Sequence, residues 1–451
     1  MSLTLTLSEI KTAQISDELV TIKNLSYVNN KYFALLSYNA NYYYSDDGIN
    51  WSKGTITRAN AQNTIWNGII YFGSQNCYIM IPSAQRVKLP NGTTLSKTSF
   101  LLKSSDAITW NSLTLPTAGM WSSIINNDST IVITDQQTST IVYSTDGLSW
   151  TKEDLSTLGI TGGINSAIYD STTSQFYLAV ANNKSVPGLI SIVHGVPGNW
   201  NYEAIQTSFD YVSTSPKLLI AEDSFIWYAS NAKKMKPLRA DITKFTVPDA
   251  WETIEPVGVD LDTETIVNLD YAYDNGFLCN VGAKLLDSET SKIYYPFGGY
   301  VYNGEKIDFT NQLERARFVH IINDPTRDRF VFANTGADGN GTKTVNYANI
   351  IEKITPSGKR LMNYQDIHAS DIDSWKSFRE KYQSGDFAGA QAIAQTLTNT
   401  QINAQALNDL FNFIVETEQL SDSTFKSDVI QVSTTAPSGL QVGLIYFKVK
   451  S

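Results

Sequence analysis

Hydrophobic residues fall in short runs along the first 360 residues, and Asn, Asp, Gly and Ser separate the runs. One stretch gives TIKNLSYVN, KYFALLSY, ANYYYS and SKGTIT, and a later stretch gives WSSIIN, TIVITD, TIVYS and WTKEDL. Short runs rich in β-branched and aromatic residues, bounded by turn residues, are typical of β-strands joined by tight turns. The pattern therefore predicts groups of four short strands.

A phrase of the form S-x-D-[GA]-x-x-W recurs three times, each time after a hydrophobic run. Its residues are Ser45, Asp47, Gly48 and Trp51, then Ser104, Asp106 and Trp110, then Ser144, Asp146, Gly147 and Trp150. An Asp carboxylate can accept hydrogen bonds from N–H groups two residues on, and Gly readily adopts the positive φ of such a turn. The Trp then buries a large apolar face as the next strand begins. We interpret the phrase as a structural hairpin turn and assign no catalytic residue to it.

Weaker copies continue the series at intervals of about 50 residues. Turn residues precede Trp200 and Trp251, the turn at 303–304 precedes Phe309, and a last turn lies at 356–358. Repeats of about 20–50 residues are typical of solenoids, propellers and arrays.

Seven units of four strands predict a mainly β fold, a seven-bladed β-propeller over residues 1–362. The five Trp residues and Phe309 are expected at equivalent positions in blades 1–6. Either residues 3–8 or the segment after Gly358 is expected to close the ring, since an open ring would leave an exposed strand edge.

Composition changes after the repeats. Ser370 and Asp373 resemble a helix-capping pair, and apolar residues then recur at helical spacing. The pattern predicts a small three-helix module at 363–422 and a C-terminal β segment at 423–451. Because the predicted propeller begins almost at residue 1, we expect this C-terminal part to dock or oligomerise.

Charge and cysteine usage exclude several classes of function. Charged residues make up 17% of the chain, against about 25% in an average protein. The net charge of −10 argues against nucleic acid or an anionic membrane as a partner. Cys77 and Cys279 are too few for a disulfide framework or a zinc site. The N-terminus lacks the features of a signal peptide, and no apolar run is long enough for membrane insertion, so we expect assembly in a cytoplasm.

Motifs for cofactor or metal chemistry are missing from the sequence. His194, His320 and His368 are scattered, and Asp338–Gly341 resembles part of a calcium loop without its acidic ladder. No phosphate-binding, dinucleotide-binding or serine-hydrolase motif is found. We therefore predict no cofactor, no metal and no assigned ligand-binding residue.

The repeated phrase resembles the Asp-box (BNR) repeat of sialidase-like β-propellers, in the shortened form found in bacteriophage tail and fibre proteins. The C-terminal words YQSGDFAGAQ and TAPSGL are similar to modules that recur in phage virion proteins. The resemblance implies a virion structural protein, a tail or fibre component, that binds a host-surface receptor or glycan. It also implies other virion proteins as partners of the C-terminal module, with a homo-oligomer left open.

A glycoside-cleaving, sialidase-like enzyme is the alternative, because Asp-box propellers include sialidases. That activity would require an arginine clamp from several blades and an acidic pair. Arg315, Arg317, Arg327 and Arg329 instead cluster in one unit. The sequence therefore favours a protein that is not an enzyme, and a bacterial lectin-like propeller is the third interpretation.

Overall fold

Six four-stranded antiparallel sheets and one five-stranded sheet form a closed ring in the computed structural model, a seven-bladed β-propeller. The structure describes residues 10–89, 92–181, 186–209, 215–229, 236–288, 291–313, 316–335 and 345–353, with the backbone of 430–433 and 445–448. The first strand of each sheet contacts the first strand of the next, and the seventh contacts the first. The predicted fold class is confirmed for this part of the chain.

Blades 1–6 each use four strands that are consecutive along the chain, apart from one extra strand in blade 2. From the axis outward, the strands are Ile22–Val28, Lys31–Leu36, Asn41–Ser45 and Ser52–Thr55 in blade 1; Thr64–Phe72, Cys77–Leu89, Thr98–Ser104 and Asn111–Gly119 in blade 2, with Gly92–Ser96 paired to the second; Trp121–Asn126, Ile131–Asp135, Thr140–Ser144 and Thr151–Asp154 in blade 3; Ile164–Asp170, Gln175–Val180, Leu189–Val196 and Asn199–Gln206 in blade 4; Pro216–Ala221, Ser224–Ala229, Leu238–Asp241 and Glu252–Thr253 in blade 5; and Thr265–Asp274, Phe277–Ser288, Ser291–Tyr302 and Glu305–Asp308 in blade 6. Short 3₁₀ turns lie at Ala61–Asn63, Gly73–Gln75, Leu155–Leu158, Pro248–Ala250 and Thr310–Gln312.

Blade 7 joins the two ends of the propeller. Its strands are Phe318–Asp324, Arg329–Asn334, Tyr347–Glu352 and, outermost, Lys11–Gln14. The closing strand is therefore N-terminal, but it is not residues 3–8, which lie outside the described residues, as does the segment after Gly358. The strand Lys11–Gln14 has a weak hydrophobic pattern, because Ala13 is its single buried residue. The more regular alternation of apolar and polar residues at 3–8 was therefore misleading.

The five repeated Trp residues lie at one structural position, at the start of the outermost strand of blades 1–5. Trp200, for example, pairs with Gly195, which pairs with Phe176, the second residue of its strand. Trp200 and Trp251 are buried, whereas the Trp residues of the three stronger phrases are half-buried.

The sixth member of the series was predicted wrongly. In blade 6 the equivalent residue is Lys306, which pairs with Val301 and through it with Leu278. Phe309 follows the end of the outermost strand and is fully buried there. The turn at Asn303–Gly304 is shorter than the repeated S-x-D-[GA]-x-x-W turn, so the outermost strand begins sooner and Phe309 falls beyond it.

The hydrophobic core is divided among the interfaces between neighbouring blades. Tyr32 of blade 1 packs in one cluster with Val331 of blade 7, and Tyr177 of blade 4 packs with Trp227 of blade 5. The second and third strands of each blade therefore bury both of their faces, which explains their near-continuous apolar runs, whereas the outermost strands are largely exposed.

The chain divides into two compact units, Met1–Arg360 and Leu361–Ser451. In the second unit the described strands Ile430–Ser433 and Ile445–Lys448 pair in parallel. The predicted helical module at 363–422, and the rest of the segment 423–451, lie outside the described residues.

Candidate functional site

The three strong copies of the repeated phrase form the same hydrogen-bonded turn. Asp47 Oδ1 accepts bonds from the N–H groups of Ile49 at 2.8 Å and Asn50 at 2.7 Å, and the Ser45 hydroxyl donates to the same carboxylate at 3.0 Å. Asp106 and Asp146 accept the corresponding bonds at 2.7–2.8 Å. Gly48, Ala107 and Gly147 all have positive φ. Each carboxylate is therefore hydrogen-bonded to the backbone of its own turn.

These turns join the third and fourth strands, so they lie at one end of the propeller near its outer rim. They share that end with the turns between first and second strands. The opposite end, called here the loop end, carries the connections between blades and between second and third strands. The repeat residues are therefore not brought together into one site.

Acid should weaken these turns. Hydrogen bonds from backbone N–H groups hold the pKa of Asp106 and of Asp146 well below its usual range. A group whose pKa is depressed by folding stabilises the protein above its unfolded pKa of about 3.9, and the contribution is lost as pH falls. We expect the free energy of unfolding to decrease below about pH 4, and Asp146→Asn to flatten part of this decrease. Urea unfolding between pH 2 and 7 measures this free energy. Asp249→Asn is the control, because the Asp249 side chain accepts no hydrogen bond from a described residue. If the free energy of unfolding falls equally with pH in the parent and in both variants, the assignment is wrong.

The loop end of the axis carries a feature that the sequence did not predict. In six blades the pairing of the first two strands shifts by one residue near the start of the innermost strand, a β-bulge, and in blade 5 it does not. The first paired residue after the shift is polar or Gly in these six blades, and Lys217, the second paired residue of its strand, occupies the matching place in blade 5. We call these seven residues the axial ring: Asn24, Gly68, Ser123, Ser166, Lys217, Asn268 and His320.

Axial-ring side chains tie each blade to the next. Ser123 Oγ accepts a hydrogen bond from the N–H of Ala167 at 3.3 Å, and Ser166 Oγ accepts one from the N–H of Leu218 at 3.5 Å. Arg317 Nη2 donates to Asn268 Oδ1 at 3.5 Å. Polar residues at this level therefore satisfy backbone and side-chain groups of the neighbouring innermost strand.

Ionisable groups are concentrated on blades 5, 6, 7 and 1. Asp270 Oδ1 accepts hydrogen bonds from Lys217 Nζ at 2.7 Å and from Tyr228 Oη at 2.7 Å. Its Oδ2 accepts one from the N–H of Ile321 at 3.3 Å and lies 3.7 Å from His320 Nδ1. One buried carboxylate thus links three blades.

Lys23 adds a charge that this carboxylate does not balance. It is the bulge residue of blade 1, is accessible to solvent and makes no hydrogen bond with a described residue. Burial in the surrounding protein, and then repulsion from Lys217, lower the pKa of Lys23. Such a side chain, reached by water but enclosed by protein, lines the axial opening.

Electrostatics at this end favour an anion. Burial tends to raise the pKa of Asp270, but Lys217 and His320 outweigh it and hold that pKa well below its usual range. Burial also lowers the pKa of His320, and the nearby lysines add to this effect against the hydrogen bond to Asp270. Asp270 balances Lys217, so the charge of Lys23 leaves this sector positive in a chain of net charge −10. We call Lys23 and Lys217 the axial cationic sector.

The other candidates from the sequence are placed elsewhere. Arg327 and Arg329 donate to the backbone carbonyls of Asp46 and Asp47 in the first repeated turn. Arg317 lies at the loop end, beside Asn268, so these three arginines do not form one clamp. His194 bonds Gln175 at 2.9 Å and stacks on Tyr177. Cys77 and Cys279 are free and buried. Arg315, His368 and 338–341 lie outside the described residues.

No cluster of metal-binding side chains is found among the described residues, and none of their helices is long and apolar enough to cross a membrane. A signal for the axial ring was present in the sequence. The first strand of most units contains polar residues between apolar ones, as in Trp121-Ser122-Ser123-Ile124 and Phe318-Val319-His320-Ile321. The spacing from this position to the Trp differs between blades, so aligning the units on their Trp alone would not have revealed it.

Comparison with known proteins gives the fold. No family model matches the chain, and no curated protein matches it. Among solved structures, a catalytically inactive variant of virginiamycin B lyase from Staphylococcus aureus, determined with quinupristin, is 9% identical with a TM-score of 0.52 and covers 76% of this chain and 99% of its own. A streptogramin B lyase is 11% identical with a TM-score of 0.51, over 76% and 97% of the two chains. The endosialidase of phage phi92 is 10% identical with a TM-score of 0.43, over 79% and 70%. At these identities the lyases share the β-propeller fold with this chain, and nothing further follows from them.

Proposed function

We propose that the protein is a bacteriophage virion component whose propeller binds an anionic host-surface polysaccharide without cleaving it. The observation that supports binding is the axial cationic sector, where Lys23 is exposed, enclosed and without a hydrogen-bonded partner among the described residues. A local positive sector in an acidic chain attracts a specific anion while the overall charge repels polyanions elsewhere. The virion assignment rests on the resemblance of the repeated phrase and of the C-terminal words.

Binding is tested with the full-length chain and two immobilised polymers, alginate as a polyuronate and dextran as a neutral match. We expect binding to alginate only, weakened several-fold by Lys23→Gln and by added salt, because exposed charges are screened. Lys53→Gln on the outermost strand of blade 1 is the matched control and should bind as the parent does. Equal binding of both polymers, or of neither, contradicts the axial site.

The enzymatic alternative is tested in the same samples. Reducing ends that accumulate during incubation, and that disappear in a single carboxylate variant, would favour a glycoside-cleaving enzyme over a binding protein. We expect none to appear.

The virion assignment needs its own experiment. Antibody labelling of particles from the host phage should detect the protein, and a chain ending at residue 360, the limit of the first compact unit, should fold yet not join the particle. Normal incorporation of that shortened chain would show that the C-terminal part is not the anchor. A protein found on the bacterial surface and in no particle would favour the lectin-like interpretation.

A further inference from the structure

The interface between blades 5 and 6 contains a cavity of about 330 Å³. Its walls come from both blades: Ile226 and Arg239 on blade 5, and Tyr271, Leu278 and Lys306 on blade 6. Cross-strand pairing places Tyr273, Leu278, Val301 and Lys306 side by side on one face of blade 6. This face is distinct from the axial ring, so the cavity is not part of the site described above.

The cavity lies where five other interfaces between blades are closed by an indole ring. Trp51 packs between blades 7 and 1, Trp110 between blades 1 and 2, and Trp251 between blades 4 and 5. Lys306 occupies the equivalent position in blade 6, and it lines the cavity. The interface between blades 5 and 6 therefore lacks the indole ring that each of blades 1–5 contributes to its interface with the preceding blade.

Two polar groups in the cavity have no partner among the described residues. Tyr271 is 5% exposed and its Oη makes no hydrogen bond. Leaving such a group unsatisfied costs about 1–3 kcal/mol. The half-buried guanidinium of Arg239 makes no hydrogen bond or ion pair with a described residue. Tyr271 lines the cavity and its unsatisfied hydroxyl is buried from water, and Arg239 offers a planar pair of donors suited to a carboxylate.

The acidic groups nearby are partly neutralised. Glu255 lines the cavity, but Lys236 donates to it at 2.7 Å. Glu222 lies at the turn of blade 5, beside Tyr273. Arg239 and Lys306 are thus the cations that a ligand would meet unpaired in this part of the structure.

We propose that the cavity binds a compact ring compound that carries a carboxylate, with the ring in the space of the missing indole and the carboxylate on Arg239. The apolar side chains of Ile226, Leu278 and Val301 contact the body of the ligand. A ligand of this size buries most of its surface in such a cavity. The site is independent of the axial proposal, because it uses none of the same residues.

The experiment titrates three probes into the full-length protein by calorimetry and by ligand-observed NMR: indole-3-acetate, D-glucuronate and neutral indole. At least one of the two acids should bind, and neutral indole should bind at least tenfold more weakly than indole-3-acetate if the aromatic acid is the better fit. Binding of glucuronate alone would identify a saccharide ring as the source of the carboxylate. Absence of binding by both acids at millimolar concentration would overturn the proposal.

Three variants separate the site from a structural role. Arg239→Gln should lower the affinity for the acid at least tenfold. Tyr271→Phe should lower affinity by about threefold to tenfold, as for one lost hydrogen bond, and should not lower the melting temperature, because its hydroxyl has no internal partner. Lys306→Trp should fill the cavity as in blades 1–5, abolish binding and leave the melting temperature unchanged or raised. If Lys306→Trp binds as the parent does, or if Arg239→Gln has no effect, the proposal is wrong.

Discussion

Replacing Asp324 by Ala is expected to destabilise the propeller by about 3–5 kcal/mol, the range for breaking a buried ion pair from one side. Asp324 is fully buried at the end of the innermost strand of blade 7. It accepts a hydrogen bond from Arg329 Nε at 3.0 Å and another from Tyr32 Oη of blade 1. Without this carboxylate the buried guanidinium of Arg329 keeps its charge and loses its counter-ion.

The same network holds the contact between the last blade and the first. Arg329 Nη2 donates to Tyr32 Oη at 2.8 Å and to the carbonyl of Asp47 in the first repeated turn. Urea unfolding of Asp324→Ala, monitored by tryptophan fluorescence, measures the effect. The control is Asp46→Ala, whose exposed ion pair with Lys31 should contribute less than about 1 kcal/mol.

A double variant distinguishes the ion pair from simple loss of packing. Asp324→Leu combined with Arg329→Met removes both buried charges and leaves only the more exposed Arg327, 3.4 Å from Asp324 Oδ2 in the parent, so it should be less destabilised than Asp324→Ala alone. If the double variant is as unstable as Asp324→Ala, the uncompensated charge of Arg329 is not the cause of the destabilisation.

The number of blades could be predicted from sequence because the chemistry of the repeated turn is local. Asp47 bonds N–H groups only two and three residues away, so its pattern is visible in a short window. The prediction was wrong at Phe309, where a two-residue turn replaces the longer one and moves the register. An aromatic residue after a turn does not fix which strand position it occupies.

The candidate sites could not be predicted in the same way, because they depend on pairing between distant residues. The axial ring arises from bulges, and a bulge is defined by which residue of the second strand faces which residue of the first. Asp270 meets Lys217 and His320 only after three blades are placed side by side. The cavity is recognised because blade 6 has Lys306 where blades 1–5 have Trp. This equivalence is known only once the pairing register of the blade 6 strands is known.

Removal of residues 1–16 is expected to abolish the cooperative unfolding of the propeller. The strand Lys11–Gln14 is the outermost strand of blade 7, and the N–H of Ile15 donates to the carbonyl of Asn346 at 2.7 Å. Losing the buried Ile15 and Ala13, with the hydrogen bonds of the strand, should cost about 5 kcal/mol or more. This loss is comparable with the total stability of a domain, about 5–15 kcal/mol.

The shortened chain would also expose the edge of Tyr347–Glu352, whose unpaired backbone groups favour aggregation. Size-exclusion chromatography and urea unfolding measure both effects. A chain that lacks only residues 1–9 keeps the closing strand and serves as the control, which should unfold in the same cooperative transition as the full chain. A synthetic peptide of residues 8–18 added to the shortened protein should restore the transition, because it supplies the missing strand to the same edge. If the chain without residues 1–16 remains monomeric and unfolds at the same urea concentration as the full chain, the N-terminal strand does not hold the ring closed.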